Sequence, residues 1–217
     1  AGYKMMDADW ETTQARDPGG NSIPPSSDPE ETYSDSAFSY GLLGGYNWRP
    51  NSGPWVLGAE LVLDWSDLSD ETPERIPGLG DPNSNPTSYT EVEADRSMAL
   101  DLRGGYVLRE KLMVYGSLGY ASLDVETTST CPADSNVCNP SAGTQSATES
   151  ETMDGWALGL GVEHQLSDQL VVRGAYRYAD YGDFSFTALP HNSDSFGAEA
   201  ELEVVAQSLE VGLLYSF

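Results

Sequence analysis

Along much of this chain, bulky apolar side chains alternate one by one with small or charged ones, and that period of two most constrains what it can fold into. FSYGLLGGYNW sets Phe38, Tyr40, Leu42, Tyr46 and Trp48 on one parity and Ser39, Gly41, Gly45 and Asn47 on the other. WVLGAELVLDW, SMALDLRGGYVL, LMVYGSLGYAS, GWALGLGVEHQL, LVVRGAYRYADYG and the terminal SLEVGLLYSF repeat the pattern. Strict alternation is a strand signal. A weaker segment, GYKMMDADWET, places Met6, Ala8 and Trp10 on one parity among several charges. Counting it, the sequence predicts eight strands.

The connections alternate in length. RPNSG, REK and SDQ are tight turns, whereas residues 13–37, 67–90, 127–152 and 183–202 are predicted as long loops rich in Pro, Ser, Asn, Asp and Gly. That order predicts one all-β domain over 1–217, an antiparallel up-and-down meander with its long loops at one end. Four long loops on one side are unusual for a compact domain and point to a role at that end.

Two eight-stranded barrels are compatible with such a meander, and they invert the pattern. A soluble carrier turns its apolar parity inward; a transmembrane barrel turns it outward. A barrel this small has room inside for side chains only. The parity carrying Gly, Ser and Ala also carries Glu60, Asp64, Asp101, Arg103, Glu163, Arg173, Arg177 and Glu210, which are predicted to pair with one another in the lumen. The Leu, Val, Tyr and Trp parity is predicted to face lipid. No apolar run approaches the roughly 18 residues of a transmembrane helix, and strands need only about 9–11. Tyr46, Trp48, Trp55, Tyr106, Tyr215 and Phe217 near the short turns, and Phe38, Tyr40, Trp65, Trp10 and Trp156 toward the long loops, are predicted to form two aromatic girdles.

Charge and cysteine usage fit an envelope location. Thirty-five acidic against ten basic residues give a net charge of −25, which repels nucleic acid. Cys131 and Cys138 in CPADSNVC read as a local disulfide, and hence an oxidising compartment. A mature chain whose signal peptide has been removed is the corresponding reading of AGYKMMDADW.

LVVRGAYRYADYGDFSF, followed by a last strand ending aromatic–x–Phe, resembles the small proteobacterial outer-membrane β-barrel family of porin-like, opacity-type and OmpA-like proteins. Members commonly carry Glu where this chain has Ala175, and LMVYGSLGYA is similar to the family's fifth strand. The resemblance implies residence in the bacterial outer membrane, contact with its lipid and lipopolysaccharide, and assembly by the insertion machinery. That machinery reads a terminal signal, here Leu213, Tyr215 and Phe217. With the chain ending at Phe217, the peptidoglycan anchoring of longer members is not expected.

Chemistry is sparse. His164 lies beside a short turn, and His191 lies near Ser193, Asp194 and Ser195 in one loop, which does not by itself make a catalytic constellation. No enzyme activity and no organic cofactor are expected. The acidic stretches Glu91, Glu93, Asp95 and Glu199, Glu201, Glu203 are weak calcium candidates if neighbouring strands bring them together. The leading expectation is a structural barrel presenting acidic loops for envelope integrity and contact with surface proteins or neighbouring copies. A narrow, weakly cation-preferring channel and a lipid-modifying enzyme are the alternatives.

Overall fold

The alternating segments form strands that all pair antiparallel. The computed structural model describes residues 1–25, 28–50, 53–73, 76–79, 88–133, 143–191 and 196–216. The strands are β1 (Gly2–Arg16), β2 (Ser22–Ile23), β3 (Glu30–Trp48), β4 (Trp55–Pro73), β5 (Tyr89–Arg109), β6 (Leu112–Cys131), β7 (Gln145–Gln165), β8 (Leu170–Leu189) and β9 (Gly197–Tyr215). Each long strand pairs with the next, and β1 pairs with β9, so the long strands close an eight-stranded ring. The two-residue β2 only doubles back on Ala15 and Arg16 of β1.

Most of these strands have 19–21 residues, far more than the ~9–11 that cross a bilayer. The surplus makes a second tier, and the two tiers obey opposite rules. At the short-turn end the bulky parity is exposed: Leu42, Leu102, Leu160 and Leu213 among others. At the long-connection end the apolar parity turns inward. There Met6, Ala8, Trp10, Tyr33, Leu68, Val92, Leu123, Val125, Leu202 and Val204 form one buried core. Outside that core stand Asp7, Asp9, Glu11, Glu126 and Glu203, half-buried or exposed. The lower tier meets hydrocarbon and the upper tier meets water, so the free-energy preference for the wall's outer face reverses between them.

Register breaks on β4, β5 and β8 sit at that boundary, and those on β5 and β8 keep inward residues inward. In β5 the buried residues are Val92 and Ala94 above the break and Ser97, Ala99 and Asp101 below it. In β8 the break falls between Asp180 and Asp183. Gly182 supplies the positive φ of 69° there. Tyr3, Phe38, Tyr40, Trp65, Tyr120, Trp156 and Tyr178 ring the same level, with the Tyr3 hydroxyl bonded to Ser36 and that of Tyr120 donating to Asp154. Such amphipathic rings suit an interface where one end is apolar and the other wet.

Two expectations are corrected here. Trp10 is not a girdle residue: it is 1% exposed, edge-on to Phe186 at 4.7 Å, and its Nε1 donates to Thr12 Oγ1 at 3.1 Å. It lies in the tier where water, not lipid, bathes the wall. The loops are also shorter than predicted. β1 runs to Arg16 and β3 starts at Glu30, β4 reaches Pro73, β6 reaches Cys131, β7 starts at Gln145, β8 reaches Leu189, and β9 starts at Gly197. These upper strands carry Asp, Glu, Ser and Thr outside over Ala and Val inside, a composition that reads as loop when lipid-facing bulk is the strand criterion.

A segment of the β4–β5 connection caps the ring. Ile76, Pro77, Gly78 and Leu79 are all buried, with a bridge between Ile76 and Leu79. Thr12 Oγ1 donates to the Pro77 carbonyl at 2.6 Å, and the Gly78 amide donates to the Asp28 carbonyl at 2.8 Å. Gly78 has φ of 76°, and a Cβ there would lie 2.7 Å from the Thr12 side chain. Only glycine satisfies both demands.

Candidate functional site: an ion-paired lumen beneath an apolar cap

Small residues on the inward parity of the lower tier leave space that long charged side chains fill. Arg103 on β5 binds Glu60 on β4 at 3.2 Å and Glu163 on β7 at 2.6 Å. Arg173 on β8 grips both Glu60 oxygens at 2.6 Å and reaches Glu163 with Nε at 3.0 Å and Nη2 at 2.8 Å. The Tyr115 ring on β6 underlies both guanidinium groups, 3.9 Å from Arg103 Cζ and 5.2 Å from Arg173 Cζ. Tyr115 fits because Gly161 faces it; a Cβ on Gly161 would lie 2.4 Å from the ring. Five strands therefore meet in one layer of two cations and two anions, with the cations also over an aromatic face.

A second layer surrounds the first. Arg177 clasps Asp101 in a bidentate pair at 3.1 and 2.5 Å. Lys4 on β1 binds Asp64 at 2.5 Å and donates to Ser97 Oγ at 2.8 Å. Glu210 accepts from Ser208 Oγ at 2.8 Å. The four cations and five carboxylates named here nearly balance, which a low-dielectric interior requires. Around these layers the voids measure about 20 and 10 Å³, each room for about one water molecule.

All eight charged residues singled out from sequence thus lie on the inner face, and seven of them join the ion pairs above, Glu210 alone being held by Ser208. Lys4 and Tyr115 were missed. Their signal was positional: Lys4 shares parity with Met6, Ala8 and Trp10, and Tyr115 is the one large residue in the run Tyr115, Ser117, Gly119, Ala121.

The other candidates are dispersed. Glu91, Glu93 and Asp95 lie on β5 and Glu199, Glu201 and Glu203 on β9, across the ring from each other, so the two acidic stretches do not converge. Glu91 accepts from Ser69 Oγ at 2.9 Å, and Glu199 lies 3.7 Å from Arg16. No group of three or more metal-ligating side chains is assembled among the described residues. Cys131 is buried and is not a free thiol, accepting from Ser88 Oγ at 3.7 Å; Cys138 lies outside the described residues. His191 Nε2 is 2.9 Å from the Asp17 carbonyl oxygen, tying two connections together, while Ser193, Asp194 and Ser195 lie outside the described residues. Asp17 is itself held below the usual carboxylate range by hydrogen bonds from the Asn21 side chain and backbone. Of the terminal signal, Leu213 and Tyr215 project outward, and Phe217 is outside the described residues.

Known proteins share this architecture. Residues 7–217 match the outer membrane protein beta-barrel domain family. The 31 kDa outer-membrane immunogenic proteins of Brucella melitensis and Brucella suis are 27% identical over 180 residues, 83% of this chain and 66% of theirs, so the chain spans slightly less than two thirds of those relatives. The outer membrane protein OprG of Pseudomonas aeruginosa shares the fold, with a TM-score of 0.51 at 16% identity, over 100% of this chain and 96% of that one. A lipid-facing belt, a paired lumen and a family match over nearly all its length converge: this chain belongs to the outer-membrane β-barrel family and resides in the outer membrane of a Gram-negative bacterium.

Proposed function

We propose that this barrel is a non-conducting structural element of the outer membrane that displays acidic strand ends and loops at the cell surface. The observation that carries the reading is a lumen closed twice. The ion-paired layer around Arg103 and Arg173 blocks the membrane tier, and the apolar core beneath Ile76–Leu79 blocks the tier above. Steady ion flow would need charge pairs broken in a low-dielectric interior and a hydrophobic core parted, each at a cost of several kcal/mol.

The exposed wall supports a role in contact rather than transport. Above the aromatic ring it offers Asp7, Asp9, Glu11, Asp124, Glu126 and Glu203. Such a face repels anionic surfaces and selects cationic or polar partners, whether surface proteins or lipopolysaccharide bridged by divalent ions. Catalysis is not part of this reading, since His191 is engaged with the Asp17 carbonyl. Planar-bilayer recording of the refolded barrel tests it. Silent membranes are expected; a stable open level with cation preference would replace this reading with a narrow channel.

A further inference from the structure

Above the aromatic ring the wall is not continuous. The β7–β8 ladder ends at Trp156 opposite Asp180. Higher up, among the described residues, residues 145–155 of β7 pair with β6 alone, and residues 183–189 of β8 pair with β9 alone. The two strands part where they are closest. A Cβ on Gly155 would lie 1.8 Å from the Asp180 carbonyl oxygen. β8 then breaks register between Asp180 and Asp183, with Gly182 at a φ of 69°, and buries Tyr181 and Phe186 in the core.

β7 is left standing clear of its neighbour. Val125 and Thr127 on β6 are buried, yet Glu151 and Glu149, their ladder partners, are exposed. Residues 148–152 are exposed on both faces. A second seam shows the contrast. The β3–β4 ladder stops at Ser39 opposite Ser66, but Asp70 there accepts from the Ser34 amide at 2.8 Å and Asp35 from the Ser69 amide at 2.9 Å. Side chains thus stitch that seam. Among the described residues, no side chain of β8 reaches the main chain of residues 145–155.

We propose that residues 145–155 of β7 form a docking edge for an extended strand of an extracellular protein, one that carries Lys or Arg at alternate positions. An unpaired edge offers a row of main-chain donors and acceptors, which give affinity to an added strand, while its side chains choose the partner. The edge stands in the water-facing tier, within reach of a soluble partner. The stretch has no Pro, no Lys and no register break to blunt it. Its two glutamates share one parity, so a strand with cations on the matching parity sets opposite charges side by side. A second copy fits poorly. Copies anchored in one membrane run the same way, so their β7 edges could meet only in parallel, with Glu149 and Glu151 of each beside those of the other. This inference rests on the contact role proposed above and names the partner's chemistry.

The test uses the refolded barrel in non-ionic micelles with three nine-residue peptides: alternating Thr and Lys, the same with Glu for Lys, and the Thr–Lys peptide N-methylated along its backbone. The Thr–Lys peptide at saturation is expected to slow exchange of alternate amides within residues 145–155 by at least about tenfold, with no protection from the other two. Combining Glu149→Gln with Glu151→Gln, both on exposed positions, is expected to weaken its binding about threefold to tenfold. Equal binding of the N-methylated peptide overturns the proposal in favour of charge attraction alone. Unchanged affinity of the double variant overturns the assigned chemistry. Protection of the barrel alone that rises with its concentration overturns it in favour of a second copy. Protection by no peptide overturns the docking edge while leaving the closed-lumen reading, which bilayer recording judges separately.

Discussion

Arg173 contacts two carboxylates on two other strands, and its removal separates pairing from packing. Arg173→Met keeps much of the volume but leaves Glu60 and Glu163 short of a partner in a buried layer. It is expected to lower stability by about 3–5 kcal/mol, read as urea unfolding in micelles. Adding Glu60→Gln should recover part of that loss, and strict additivity would show that the two side chains do not act as a pair. Trp10→Ala, which empties the upper core, is expected to cost about 3–5 kcal/mol, against a much smaller cost for Trp55→Ala on the lipid face. Asp17 gives a pH dependence of known sign. Its carboxyl is depressed by Asn21, so the order it lends the turn is present above the ordinary value of 3.8 and is lost as pH falls through the lower folded value. The Asn21 amide resonance should move in that acid range in the native chain and stay put in Asp17→Asn. At this scale the inner charges were legible because a carboxylate or guanidinium on a glycine-rich parity has few other places to go. Tyr115 was not, because an aromatic residue inside depends on Gly161 across the strand pair, which no single segment reveals.

Strands and connections were legible in proportion to how simply their surroundings favour one pattern. The lower halves of β3 to β9 alternate against hydrocarbon, and that contrast is large. The upper halves alternate against water with Ala and Val inside, a weak contrast that merges into loop composition; hence the predicted loops were too long. The bulges at β5 and β8 added to this, because each shifts parity midway through a strand. The cap was not legible at all, since Ile76–Leu79 is a short apolar run whose burial depends on Thr12 and Asp28, far away in sequence. Gly78→Val tests the cap as an element. The side chain would strike Thr12 in a conformation hostile to β-branched residues. Faster proteolysis within the β4–β5 connection is expected, with the membrane tier still resistant; an unchanged cleavage rate would mean that the segment does not depend on seating in the ring.

As a whole, the molecule is two barrels stacked on shared strands, lipid-facing with an ionic lumen below, water-facing with an apolar core above. The overall fold and outer-membrane location could be read from the sequence because the lower barrel dominates its pattern. The change of rule partway up could not, because it follows from where the bilayer ends. Single-tryptophan variants in bilayers of brominated lipid test this division most directly. Trp55 is expected to be strongly quenched by lipid, while Trp10 should resist both brominated lipid and aqueous acrylamide, since it is enclosed by Tyr33 and Phe186. Quenching of Trp10 by brominated lipid to the level of Trp55 would contradict the two-tier account.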